Sequence, residues 1–187
     1  LGAKNVIMMN SKGAMYEGMD MSRINRVQAE LLKRTNRDKA KGGLAEIAKG
    51  ADVLLGVSKA GTFTKEIIGG MAKDAIVLAM ANPDPETSYD DAKAAGARVV
   101  GTGRSDAPNQ VNNVLVFPGL FRGALDVRAK DINQDMKRAA SYALADLVTQ
   151  SELHAQYILP AAFDPRVGPA VARAVAQAAR DSGVARI

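Results

Sequence analysis

The sequence predicts an α/β fold, a doubly wound parallel sheet followed by C-terminal helices, and three observations predict it. Short runs rich in Val, Ile, Leu and Met, at Val6 to Met9, Asp52 to Val57, Ala75 to Ala81 and Ala97 to Val100, are separated by helix-like segments. These runs are continuous rather than alternating, as in strands covered on both faces of a parallel sheet. After Val100 the alternation stops, and Asn113 to Val127, Asp131 to Thr149 and Pro169 to Asp181 all read as helix with only loops between them. Strand and helix in turn, joined by right-handed crossovers, make a doubly wound sheet.

Each element has its own local reason. Leu1-Gly2-Ala3-Lys4 leads into the first run like the end of a helix turning into the second strand of a sheet. A first strand and its glycine-rich turn are therefore expected to be missing from this chain; a smaller sheet starting at Val6 is the alternative. Ser22 to Arg34 is predicted helical from Ile24, Val27 and Leu31, spaced by three and four. Thr64 caps the helix carrying Glu66, Ile67 and Ile68, and Ser88 with Asp91 forms an acidic capping box before Ala92 to Ala95. Gly50 and Gly96 stand where helices end in a left-handed residue. The last helix has Pro169 at its first position, Val171, Ala174, Val175 and Ala178 on one face, and Gly183 at its end. No repeat or low-complexity linker divides residues 1–187, which read as one domain.

Composition removes several function classes. With 187 residues, 47% hydrophobic, the chain can bury one core. The absence of cysteine rules out a disulfide framework and a thiolate metal site, and suits the reducing cytoplasm, the expected location. The apolar stretches fall well short of the roughly 20 residues that cross a bilayer, and no charged-then-apolar leader opens the chain, so a soluble protein with no membrane partner is expected. The net charge of +5 raises nucleic acid as a partner. The basic residues are scattered, however, and four Phe, four Tyr and no Trp offer little for bases to stack on, so no nucleic-acid partner is expected.

Ligands of open α/β sheets bind outside the carboxyl ends of the strands, and unusual residues cluster there. Asn10-Ser11-Lys12-Gly13 follows the first run, where a dinucleotide-binding sheet reads the adenosine ribose. An acid there would bind the 2′-hydroxyl of NAD, whereas neutral and basic groups accept a 2′-phosphate, so Asn10, Ser11 and Lys12 lean toward NADP. An ordinary solvated turn is the alternative. Gly56-Val57-Ser58-Lys59-Ala60-Gly61 has small residues that would let backbone approach a cofactor. In Ala81-Asn82-Pro83-Asp84-Pro85-Glu86, Asn82 ends a strand, and its amide suits a hydroxy acid or a carboxamide, or merely caps the turn. The run from Gly101 to Val114 places Asn112 and Asn113 before an apolar helix, at an N-terminus that favours a carboxylate. No metal cluster is visible, since His154 is the only histidine, and Asp126, Arg128, Asp131 and Asp135 read as a solvated, ion-paired face. No nucleophile elbow, phosphate loop or Ser-His-Asp order is present.

The motifs ANPDPE at Ala81 to Glu86, TGRSDAPNQVNN at Thr102 to Asn113 and FPGLFRGALDVRA at Phe117 to Ala129, with the Gly56-Val57-Ser58 turn, closely resemble the malic enzymes of the bacterial type. The resemblance covers essentially the whole chain and marks it as the Rossmann-like NAD(P)-binding half. It implies oxidative decarboxylation of L-malate to pyruvate and carbon dioxide, with hydride passed to NADP or NAD and a divalent Mg or Mn polarising the carbonyl. By position it assigns Asn82, Asn112 and Asn113 to the substrate, and Asn10, Ser11, Lys12, Gly56, Val57, Ser58, Asn82 and Asn112 to the cofactor.

The family's tyrosine acid, lysine base, metal-binding carboxylates and glycine-rich fingerprint all lie upstream of anything here. The resemblance thus implies no catalytic or metal-binding residue in this chain, which alone is expected to be inactive. It further suggests a homodimer and, in many bacterial members, an appended phosphotransacetylase-like domain. A non-catalytic nucleotide-binding or assembly module is the alternative from another class; a glutamate- or folate-type dehydrogenase would share the fold but lack the Asn112-Asn113 and Phe117-Pro118-Gly119 run.

Overall fold

The computed structural model describes residues 2–20, 22 and 24–187. Leu1 of the predicted opening turn and Arg23 of the predicted Ser22 to Arg34 helix lie outside the described residues, as does Met21. An antiparallel hairpin comes first, β1 (Met9–Asn10) and β2 (Gly13–Ala14), with Met9 opposite Ala14 and Asn10 opposite Gly13. Gly13 has φ +117°, and a Cβ there would lie 2.6 Å from the Gly42 carbonyl oxygen, so only glycine closes this turn without displacing the backbone. Then follow α1 (Arg26–Leu32), α2 (Leu44–Ala48), β3 (Val53–Gly56), α3 (Lys65–Gly69), β4 (Ile76–Ala79), α4 (Tyr89–Ala94) and β5 (Val99–Thr102). A 3-10 turn (Asn113–Leu115) leads into α5 (Phe117–Asp126), α6 (Gln134–Ala145) and α7 (Val167–Asp181). Strands β3, β4 and β5 form one parallel sheet in that order, which bears out the parallel α/β fold with helices after it.

The predicted caps are present. Thr64 Oγ1 accepts from the Ile67 N–H at 3.4 Å, Ser88 Oγ accepts from the Asp91 N–H at 3.0 Å, and Gly50, Gly96 and Gly183 all have positive φ.

Several expectations are corrected. Val6 to Met9 is not a strand of the parallel sheet: Met9 pairs antiparallel with Ala14 in a separate hairpin, Val6 O accepts from the Asn36 N–H and Met8 O from the Met15 N–H. Strand β3 is not covered on both faces either, since Val53 and Leu55 are 51% and 57% exposed while Gly56 is buried. The predicted Ser22 to Arg34 helix begins only at Arg26. Asn25 and Gln28 form a reciprocal capping box there, each side-chain oxygen accepting the other's backbone N–H at 2.9 Å. Its buried residue is Leu32, with Val27 and Leu31 exposed, so the packed face is rotated from the predicted one. Two of the predicted C-terminal helices are shorter than expected, whereas the last starts at Val167, two residues before the predicted Pro169, so that Pro169 lies in its first turn rather than at its first position. Pro118 falls in the first turn of α5, where its missing N–H has no partner to lose, and Asn133 caps α6 by accepting from the Met136 N–H at 3.0 Å.

Among the described residues two hydrophobic clusters stand out, and Met15 and Leu32 are buried outside both. Phe63, Ile68, Val77, Ala79, Ala92, Ala97 and Val100 pack helices α3 and α4 against the sheet. Leu120, Val127, Met136, Val171, Val175 and Ala179 join α5, α6 and α7. Helix α5 can approach α7 closely because Gly119 and Gly123, four residues apart, share one face. A Cβ on Gly119 would stand 2.7 Å from Val171 Cβ, and one on Gly123 would stand 2.9 Å from Val175 Cβ and run into the Ala172 carbonyl. Gly123→Ala is therefore expected to destabilise the fold by about 1–3 kcal/mol, the usual cost of overpacking. Urea unfolding measures this, and an unchanged midpoint would mean that the two helices are not in close contact.

Candidate functional site

Parallel pairing brings three strand ends level. Gly56 lies opposite Ala79, and Ala79 opposite Thr102. With neighbouring strands about 4.8 Å apart, the turns that follow β3, β4 and β5 emerge side by side on the carboxyl edge. The Met80 N–H donates to the Gly56 carbonyl at 3.1 Å, extending the pairing into the turns.

The first two turns are held together by a residue that sequence reasoning left unassigned. Glu86, with 0% exposure, accepts from the Ser58 N–H at 2.6 Å and the Ser58 hydroxyl at 3.0 Å through Oε1, and from the Ala81 N–H at 2.9 Å through Oε2. Burial pushes its pKa up, but the hydrogen bonds from Ser58 and Ala81 outweigh this and hold it below the ordinary carboxylate range. Gly56 has a matching internal reason to be glycine. A Cβ there would stand 2.5 Å from the Glu86 carboxyl carbon and 2.7 Å from the Phe63 ring, so the space its missing side chain leaves is filled from inside the protein. Beyond it Val57 and Ser58 are exposed.

Asn82 follows Ala81 directly and is exposed, with a cis bond to Pro83. In the third turn the Val111 N–H donates to the Thr102 carbonyl at 2.8 Å, and Arg104 pairs with Asp106 at 2.8 Å through Nε. Asn109 anchors this turn. It is buried with φ 56°; its Nδ2 donates to the Val100 and Ala155 carbonyls, and its Oδ1 accepts from the Ile158 N–H, each at 2.9 Å. Asn112 Oδ1 accepts from the Val114 N–H at 3.0 Å and so caps the 3-10 turn; Asn113 is exposed beside it. The two asparagines thus precede a 3-10 turn, and α5 starts only at Phe117. Among the described residues the Asn82 and Asn113 amides have no side-chain hydrogen bond, which leaves a donor and an acceptor on each for a ligand.

The Asn10-Ser11-Lys12 turn belongs to the hairpin rather than to this sheet. Asn10 Oδ1 accepts from the Lys12 N–H at 2.9 Å, shaping the turn, while Ser11 and Lys12 are exposed. Among the described residues no three His, Asp or Glu side chains gather at metal-binding distance, and His154 Nδ1 accepts from the Gln156 N–H at 3.2 Å in its own turn. The solvated face reading holds in part, with Arg122 paired to Asp126 at 2.8 Å and Arg138 to Asp135 at 2.6 Å.

A parallel sheet whose carboxyl edge gathers three polar turns defines an α/β domain of the nucleotide-binding class. The chain belongs to the malic enzyme family: the family model for the malic enzyme NAD binding domain matches residues 2–180. It is 58% identical over 186 residues to the bifunctional malic/malolactic enzyme of Bacillus subtilis (strain 168), covering 100% of this chain and 45% of that protein. To the NAD-dependent malic enzyme of Geobacillus stearothermophilus it is 47% identical, covering 99% of this chain and 38% of that protein. The crystal structure of malic enzyme from Pyrococcus horikoshii Ot3 superimposes with a TM-score of 0.88 at 44% identity, over 97% of this chain and 42% of that one. The chain therefore spans less than half the length of these relatives.

Two outcomes are expected from this geometry. Asn109→Ala removes three hydrogen bonds from a buried site and should destabilise the chain by about 2–4 kcal/mol, read by urea unfolding; a loss under 1 kcal/mol would mean that the anchor is replaced by water. Because the folded pKa of Glu86 is lowered, its stabilising contribution is present above its ordinary value of about 4.3 and is lost as pH falls through the lowered value. The stability gap between wild type and Glu86→Gln should accordingly narrow on acidification, and a gap independent of pH would contradict this.

Proposed function

We propose that this chain supplies the dinucleotide-binding half of an enzyme that oxidises and decarboxylates L-malate to pyruvate and carbon dioxide. The observation that carries the reading is the level carboxyl edge of a malic enzyme fold: the Ser58 turn and Asn82 follow paired strand ends, and the Val111 N–H bond to the Thr102 carbonyl returns the chain to that edge just before Asn112 and Asn113. In this reading the Asn82 and Asn113 amides, with the Nδ2 of Asn112, hold the malate carboxylate and hydroxyl, since an amide both donates and accepts. Val57 and Ser58 line the path of the dinucleotide. When bound, the nicotinamide accepts the hydride released from the substrate's hydroxyl-bearing carbon. The residues described here do not form a divalent-cation centre, and Mg or Mn is assigned to parts of the protein outside this chain.

NADP is the preferred dinucleotide in this proposal. Relatives are named for either one, NAD in one protein and NADP in another. What favours NADP is the hairpin turn, which has no acidic side chain to repel a 2′-phosphate and carries the exposed Lys12.

The test is absorbance at the reduced-nicotinamide band for the full-length protein and for this chain, each with malate, Mn and either dinucleotide. Turnover by the full-length protein alone, faster with NADP, is expected. Preference for NAD would remove the cofactor assignment, and dinucleotide binding without turnover in the full-length protein would favour a non-catalytic module.

A further inference from the structure

We propose that Glu86 is the positioning residue that fixes the Ser58 turn relative to Asn82, and through them the alignment of dinucleotide and substrate; this rests on the malic enzyme reading above. Its carboxylate is wholly buried, so it acts through the residues it holds. Oε1 takes both donors of Ser58 and Oε2 takes the N–H of Ala81, the residue bonded to Asn82. The Glu86 carbonyl in turn accepts from the Phe63 N–H at 3.1 Å, fixing the far end of the first turn.

The chemistry of the clamp is specific. Both turns present donors, so the group between them must accept at both ends, and an ionised carboxylate is the side chain that only accepts. The donors that hold it are the Ser58 and Ala81 N–H groups and the Ser58 hydroxyl, and among the described residues no Lys or Arg forms an ion pair with it, so the anion rests on neutral donors. Such an arrangement is costly without several hydrogen bonds. Glutamine, with nearly the same volume, would satisfy one turn and set an NH₂ against the N–H of the other. Gly56 makes the room in which the carboxyl lies, joining the strand end to the same clamp.

The experiment compares full-length wild type, Glu86→Gln and Glu86→Asp by amide hydrogen exchange without dinucleotide and by steady-state kinetics. In Glu86→Gln, exchange at the Ser58 or Ala81 amide should accelerate at least tenfold, with protection in β4 and β5 retained. In the same variant kcat at saturating malate and dinucleotide should fall roughly tenfold to a hundredfold, as misalignment on the order of 1 Å does, with a raised KM for the dinucleotide. Glu86→Asp keeps the charge but is too short to span both turns, so it should show the same exchange signature with a smaller fall in kcat; it also keeps the test open should the glutamine variant not fold. Unchanged exchange at both amides overturns the clamp, and faster exchange with kcat and KM within twofold of wild type overturns its role in positioning. A wild type that does not oxidise malate overturns the functional reading instead, while exchange at the two amides still decides the clamp.

Discussion

Parallel pairing makes every strand of the sheet point the same way, and hydrogen-bond register then decides which residues end level with one another. In this chain Gly56, Ala79 and Thr102 share a row, so three turns that are far apart in sequence leave the sheet at one edge. All else at the site is local adjustment to that row. The carboxylate of Glu86 ties the first turn to the second, the amide of Asn109 ties the third to the loop at Ala155 and Ile158, and the exposed asparagines stand on backbone that these two residues hold still.

The helical part of the molecule solves a different problem by a related means. Few large side chains are available, so cohesion depends on close approach, and small residues allow it. Gly119 and Gly123 bring α5 onto α7, where Val171 and Val175 fill the space their missing side chains leave. Asn133, besides capping α6, donates to Ser182 Oγ at 2.9 Å and links the start of that helix to the end of α7. The layer that follows the sheet is thus held at its centre by glycine contacts and at its margin by a polar link.

Much of this was legible in the sequence where the cause is local. The caps at Thr64 and Ser88, and the left-handed residues at Gly50, Gly96 and Gly183, depend on chemistry within a few positions and were found. What depends on distant partners was not. Val6 to Met9 has the composition of a sheet strand, but its carbonyls are claimed by Asn36 and Met15. Burial of Glu86 follows from donors as far as 28 residues away at Ser58, and an acidic residue after two prolines has the local look of a solvated turn. That a side chain at Gly56 would meet Glu86 and Phe63 inside the protein is likewise set by partners distant in sequence. The motifs carried the family because long polar runs are improbable by chance; they could not reveal which of their members face inward.

Strand β3 stands at the end of the row of three, with Val53 and Leu55 open to solvent and its outer backbone unpaired among the described residues. An exposed, apolar strand edge is a template on which another strand can add. What opposes that addition between separate copies is the net charge of +5, a repulsion that reaches only about 8 Å at physiological ionic strength. Screening of these like charges by added salt is therefore expected to favour edge-to-edge association of the isolated chain, and dilute buffer to oppose it.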